Sequence, residues 1–67
     1  MTIAEIRDRI EEIRDASDDD EAAHALEDEL MKDFILFVST NPETTQLAVM
    51  AAYISEVKDI KFSRWCA

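Results

Sequence analysis

The chain contains no glycine, and that absence constrains its fold more than any other feature. The favoured two-residue hairpin turns need positive φ, which glycine adopts without steric cost. A chain without it builds sheet corners poorly, so helices separated by capped breaks are expected. Its 67 residues make at most one domain. A chain of about 60 residues buries only about 60% of the surface it exposes when unfolded, so its stability is marginal. Cys66 is the sole cysteine, which excludes an intrachain disulfide, and one histidine with one cysteine does not make a zinc site. Very regular helix packing or self-association remains. A hydrophobic content of 48% argues against intrinsic disorder.

The hydrophobic spacing predicts three helices. Ile3, Ile6, Ile10 and Ile13 follow a 3, 4, 3 spacing and share one face of a helix over 3–15. The same spacing suits coiled-coil a and d positions, but two heptads are too few for one. Thr2 followed by Glu5 forms a capping-box pattern at its start. After a break at 16–18, with Ser17 or Asp18 as N-cap and Asp18/Glu21 as a second box, a helix is expected over 19–38. Its inner face reads Ala23, Leu26, Leu30, Phe34, Phe37, and residues Phe34 to Val38 are apolar all round. Such a turn must be covered on more than one side. Asn41-Pro42-Glu43 predicts a third helix over 42–58, with Asn41 as N-cap and Pro42 in the first position. Leu47, Met50, Ile54 and Val57 form its inner face. The rest of its surface is small and weakly charged, as for a central or interfacial helix. The tail, 59–67, has no helical period. Ile60, Phe62 and Trp65 are too apolar for a free end, so the tail is expected to fold back. The fold class expected is all-α: a single domain over 1–67, built as a three-helix bundle or a hairpin plus third helix.

The net charge of −9 is unevenly placed. Residues 1–33 carry thirteen acids and four bases, whereas residues 34–67 carry three of each. This asymmetry repels DNA, RNA and anionic membranes, so direct nucleic-acid binding is not expected. No apolar run reaches the roughly 20 residues of a membrane span. The start, Met1 to Glu5, lacks the basic and apolar regions of a secretory signal. With a lone thiol, a cytoplasmic setting is expected.

No catalytic residues, cofactor or metal site emerge from the pattern. Asp18-Asp19-Asp20-Glu21 resembles a cation loop only superficially, since an EF-hand needs alternating ligands and a mid-loop glycine. Consecutive acids at a helix start serve more often as caps. His24 lies at helical spacing from Asp20, Glu21, Glu27 and Asp28, a surface setting without a catalytic partner. Cys66 has no activating base beside it. Two surfaces remain. Phe34, Ile35, Phe37, Val49, Tyr53, Arg64 and Trp65 are candidates for protein interaction, with Trp65 alternatively a lid over the core. The acids Asp8, Glu11, Glu12, Asp15, Asp18, Asp19, Asp20, Glu27 and Asp28 could imitate a phosphate array, since duplex DNA carries a charge about every 1.7 Å. The plainer reading is a solvated face.

Ala25-Leu26-Glu27-Asp28-Glu29-Leu30, together with the ending Asp59-Ile60-Lys61-Phe62-Ser63-Arg64-Trp65-Cys66-Ala67, resembles a family of short acidic proteins encoded by actinobacterial phages. The likeness covers about the last two-thirds of the chain, and its specific part is the ending; the isoleucine-rich first helix has no counterpart in it. The resemblance implies a phage product acting in a bacterial cell, and no activity. The apolar excess around Phe34 to Val38 and on the third helix, with no site chemistry, makes the expected function a non-enzymatic adaptor that self-associates and binds a host or phage protein. The alternative is an acidic nucleic-acid mimic that inhibits a DNA- or RNA-binding protein.

Overall fold

In the computed structural model, which describes residues 1–64, the isoleucine stripe lies on α1 (Ile3–Asp15). The Thr2 hydroxyl caps this helix, accepting the Glu5 N–H at 3.1 Å. Among the described contacts the reciprocal half of the box, from the Glu5 carboxylate, is not made. The chain then turns through residues 16–19, with the Asp19 N–H donating to the Ala16 carbonyl at 2.9 Å. That turn delivers Asp19 extended at the start of α2 (Asp20–Thr40), where its carboxylate accepts the Ala22 N–H at 3.1 Å. Asp19, rather than Ser17 or Asp18, is therefore the cap.

The second break departs from its predicted form. α2 runs on to Thr40, and side chains of its last turn bond back to its carbonyls. Ser39 and Thr40 hydroxyls donate to the Leu36 carbonyl at 2.8 and 3.0 Å, and the Asn41 amide donates to the Phe37 carbonyl at 3.0 Å. Asn41 thus closes α2 instead of opening the next helix. Pro42 pushes Asn41 out of the helical region, to φ −134° and ψ 59°. Residues 42–46 form turns, and α3 (Leu47–Ser55) begins five residues later than the proline suggests. Gln46 precedes it without a side-chain cap. After Ser55 the chain tightens into a 3₁₀ turn, Glu56–Asp59.

α1, not α3, is the central helix, packing against both α2 and α3. Ile6, Ile10 and Ile13 are buried with Ala23 and Leu30 of α2, Met50 and Ile54 of α3, and Val57 and Ile60 beyond it. Burying each of these isoleucines contributes about 1.5–3 kcal/mol. The short 16–19 connection makes α1 and α2 an antiparallel hairpin, bridged from the middle of α1 by an Arg9–Asp33 ion pair of 2.8 Å. α2, at 21 residues and about 30 Å, sets the long dimension of a 36 × 18 × 15 Å molecule.

The tail folds back as expected as far as Arg64. Ile60 is buried, Phe62 packs against the core, and the Ser63 N–H donates to Asp20 at 2.9 Å. Arg64 is the clasp. Its Nε donates to both Glu27 oxygens at 3.1 and 3.0 Å, and its Nη1 to the Phe62 carbonyl at 3.3 Å. Nη2 donates to the Val57 and Ile60 carbonyls at 3.0 and 3.2 Å. The guanidinium also lies 3.9 Å from the centroid of the Phe62 ring. One planar fork thus ties the tail at Arg64 to Glu27 of α2.

Two stability predictions follow from this packing. Ile10→Ala should lose about 2–5 kcal/mol, enough to leave a domain of this size largely unfolded at 37 °C in a circular-dichroism melt. Arg64→Ala should lower the urea midpoint by the equivalent of about 1–3 kcal/mol, and Arg64→Lys should recover little of it, because an ammonium cannot reach a carboxylate and three carbonyls together.

Candidate functional site

Among the described residues the large exposed apolar side chains fall in two places. α1 is shorter than α2 and antiparallel to it, so the last turns of α2 extend past full cover. Phe34 and Phe37 turn inward and pack against the core, while Ile35 and Leu36 are left 68% and 62% exposed. Along the outer face of α2 the surface passes from Asp28, Glu29 and Lys32 to these two aliphatic residues. The face is charged for most of its length and apolar at its end.

The second place is the outer side of α3. Ala48, Ala51 and Ala52 are exposed, and Val49 is 48% exposed. No charged residue occurs between Glu43 and Glu56. The Ser55 hydroxyl donates back to the Ala52 carbonyl at 2.7 Å, so it makes little demand on solvent. Two open grooves meet here. One, of about 410 Å³, runs along α3 and is lined by Ala48, Val49, Ala52, Tyr53 and Glu56. The other, of about 370 Å³, lies between α1 and α3, with Ala4, Ile10 and Tyr53 as its apolar part and Arg7, Asp8 and Arg14 among its charged lining. Tyr53 and Glu56 belong to both. Arg7 lies over the Tyr53 ring at 5.6 Å, and Arg14 pairs with Glu11 at 3.3 Å. A half-buried tyrosine between a guanidinium and an apolar groove has the composition of a protein-binding surface.

The interaction candidates therefore separate. Val49 and Tyr53 come together, Ile35 is exposed on another helix, and Phe34 and Phe37 serve the core. Arg64, expected as a docking residue, is committed to Glu27 and three carbonyls of its own chain, leaving little of its fork for a partner. Trp65 and Cys66 lie outside the described residues. Arg7 and Glu56 were not foreseen, because the contact across helices that brings Arg7 to Tyr53 leaves no local sequence signal. Ala48 and Ala52 were legible as part of a weakly charged surface, though not as groove walls.

The acidic candidates do not form one uniform array. Asp19 is a helix cap, Asp20 holds the Ser63 N–H, and the Glu27 side chain is 13% exposed under Arg64. Glu11 pairs with Arg14, and Asp28 faces His24 Nδ1 at 3.2 Å. Asp8, Glu12 and Asp15 stay exposed, and with Glu5 they form a 3, 4, 3 stripe down α1 whose carboxylates make no ion pair among the described residues. Asp18 is exposed in the turn. Among the described residues no group of three or more His, Cys, Asp or Glu is placed to hold a metal ion, and no helix is long and apolar enough to cross a membrane. Every buried side-chain nitrogen and oxygen there has a hydrogen-bond partner. Comparison of the chain with protein-family models, curated proteins and solved structures gives no match.

Proposed function

We propose that this protein is a non-enzymatic adaptor module that self-associates and docks onto another protein. One observation carries the reading: among the described residues two separate apolar patches, Ile35/Leu36 on α2 and the Val49/Tyr53 groove on α3, are exposed. Exposed aliphatic pairs at the end of a charged helix are suited to a partner's apolar pocket, with the surrounding charges as a polar rim. The resemblance of its last residues to phage proteins supports a host or phage protein as that partner, in the bacterial cytoplasm. Replacing both Ile35 and Leu36 by Glu should weaken partner binding by about 100-fold or more, since two carboxylates would be forced into an apolar contact. The check is quantitative pull-down beside circular dichroism. Unchanged binding by a variant with wild-type helix content would end this reading for the α2 patch.

A second reading is favoured by the unpaired stripe on α1. Glu5, Asp8, Glu12 and Asp15 sit within about 15 Å of helix, and their side chains are free to engage a basic groove. On this reading the protein competes with nucleic acid for a DNA- or RNA-binding protein. The triple variant Asp8→Lys, Glu12→Lys, Asp15→Lys should abolish such competition in a fluorescence-anisotropy assay. Wild-type competition should fall steeply with added salt, and a salt-insensitive interaction that survives the triple variant would remove this reading.

A further inference from the structure

We infer that the surface formed by α1 and α3 docks a basic amphipathic helix of another protein. Its apolar residues lie against Val49, Ala52 and Tyr53, and its lysines or arginines meet the carboxylates of α1. This rests on the adaptor reading and names the chemistry of the partner at one of its two faces.

What separates this face from the apolar end of α2 is the charge that borders it. The charged residues nearest in sequence to Ile35 and Leu36 are Lys32 and Asp33. Each is already paired, Lys32 with Glu29 at 3.3 Å and Asp33 with Arg9 at 2.8 Å. The groove between α1 and α3 is bordered instead by carboxylates that pair with no base among the described residues. Asp8 lines it from α1 and Glu56 from just beyond α3, and both are exposed. The two cations of the groove are engaged within the chain, Arg14 with Glu11 at 3.3 Å and Arg7 over the Tyr53 ring at 5.6 Å. From Asp8 the acidic border continues along α1 as Glu5, Glu12 and Asp15, which are likewise exposed and without an ion pair there.

That border selects the occupant. A neutral helix seated in the groove would take water from these carboxylates and give nothing back, which costs free energy. A second copy of this chain, also at −9, would bring further carboxylates toward them. A cationic partner pairs them, and the net charge of −9 steers it inward from a distance. The apolar half of the surface is continuous with the acidic half, because Tyr53 and Glu56 line both grooves. Its other walls are Ala48, Val49 and Ala52, in a stretch with no charge from Thr44 to Ser55.

The spacing selects a helix. Glu5, Asp8, Glu12 and Asp15 repeat every three or four residues along α1. A partner helix laid alongside repeats its side chains with the same rise of about 1.5 Å per residue. Bases three and four apart on one edge then meet the stripe in register, while the neighbouring apolar face enters the neutral groove.

The probe is a synthetic amphipathic helix of leucine and lysine, about 14 residues and so about 21 Å long. It is titrated into the full chain at about 0.15 M salt and followed by fluorescence anisotropy and amide chemical shifts. The expected result is saturable binding that shifts the amides of Asp8, Val49, Tyr53 and Glu56. Glutamine in place of the peptide's lysines should weaken it about tenfold or more. Asp8→Lys with Glu56→Lys should do the same, as should Val49→Gln with Ala52→Gln, each at wild-type helix content because all four side chains are exposed. Asp28→Lys with Glu29→Lys changes the net charge equally and should leave affinity within about twofold, because salt screens charges away from the contact. Equal affinity for the glutamine peptide would overturn the inference in favour of a neutral partner. Equal weakening by the Asp28/Glu29 pair would overturn it in favour of diffuse attraction without a site, and no saturable binding up to about 1 mM would overturn it outright. The adaptor reading would still stand in each case if Ile35/Leu36-dependent partner binding persisted, and would fall only if that binding were absent too.

Discussion

Everything in this structure depends on the burial of one isoleucine stripe between two neighbours. Ile6, Ile10 and Ile13 face both α2 and α3, and residues on every other element reach the same cluster: Leu30, Met50, Ile54, Val57, Ile60. A small chain with no disulfide has little else to set against its conformational entropy. A β-branched residue repeated at this spacing gives a stiff, well-defined ridge, which suits a core that has to be well packed to be sufficient. Because α1 is only 13 residues long, using it as the axis leaves the last turns of α2 partly uncovered. The exposed Ile35/Leu36 pair is a consequence of that length difference.

The acidic residues divide by what surrounds them. Some are structural: Asp19 begins a helix, Asp33 bridges the hairpin, and Asp20 and Glu27 hold the returning tail. Others, chiefly Glu5, Asp8, Glu12 and Asp15, have no partner within the described chain and set the field that an approaching molecule meets. Arg64 illustrates the same division among the bases. Its side chain has the chemistry of a hot spot, yet its fork closes on the molecule itself. This keeps Ile60 and Phe62 against the core and leaves the large exposed apolar side chains of the described residues to α2 and α3.

A protein without glycine must stop its helices by other means, and here side-chain hydrogen bonds do so. Thr2 and Asp19 open helices, while Ser39, Thr40 and Asn41 close one, with Pro42 preventing continuation. The described residues contain no positive φ at all. The resulting helices are well bounded except at the start of α3, where Gln46 provides no cap. That open helix start, a neutral face and a groove beside Tyr53 occur on the same short element.

The amino-acid sequence by itself determined the all-helical class, the bounds of α1, the start of α2 within one residue, the inner faces of α1 and α2 and, from Met50 on, that of α3. Each follows from interactions between residues three or four apart, and those spacings are visible in one dimension. Tertiary structure alone decided which helix is central, that Asn41 closes α2 rather than opening α3, and that Arg64 turns inward. It also decided which acids are free and that Arg7 meets Tyr53. These outcomes depend on residues far apart in the chain or on competition between two local uses of one side chain. Asn41 shows the second case, since its amide can donate to carbonyls behind it or its oxygen can accept from N–H groups ahead. The last turn of the helix ending at Thr40 presented the Phe37 carbonyl at hydrogen-bonding distance, and the Asn41 amide took it.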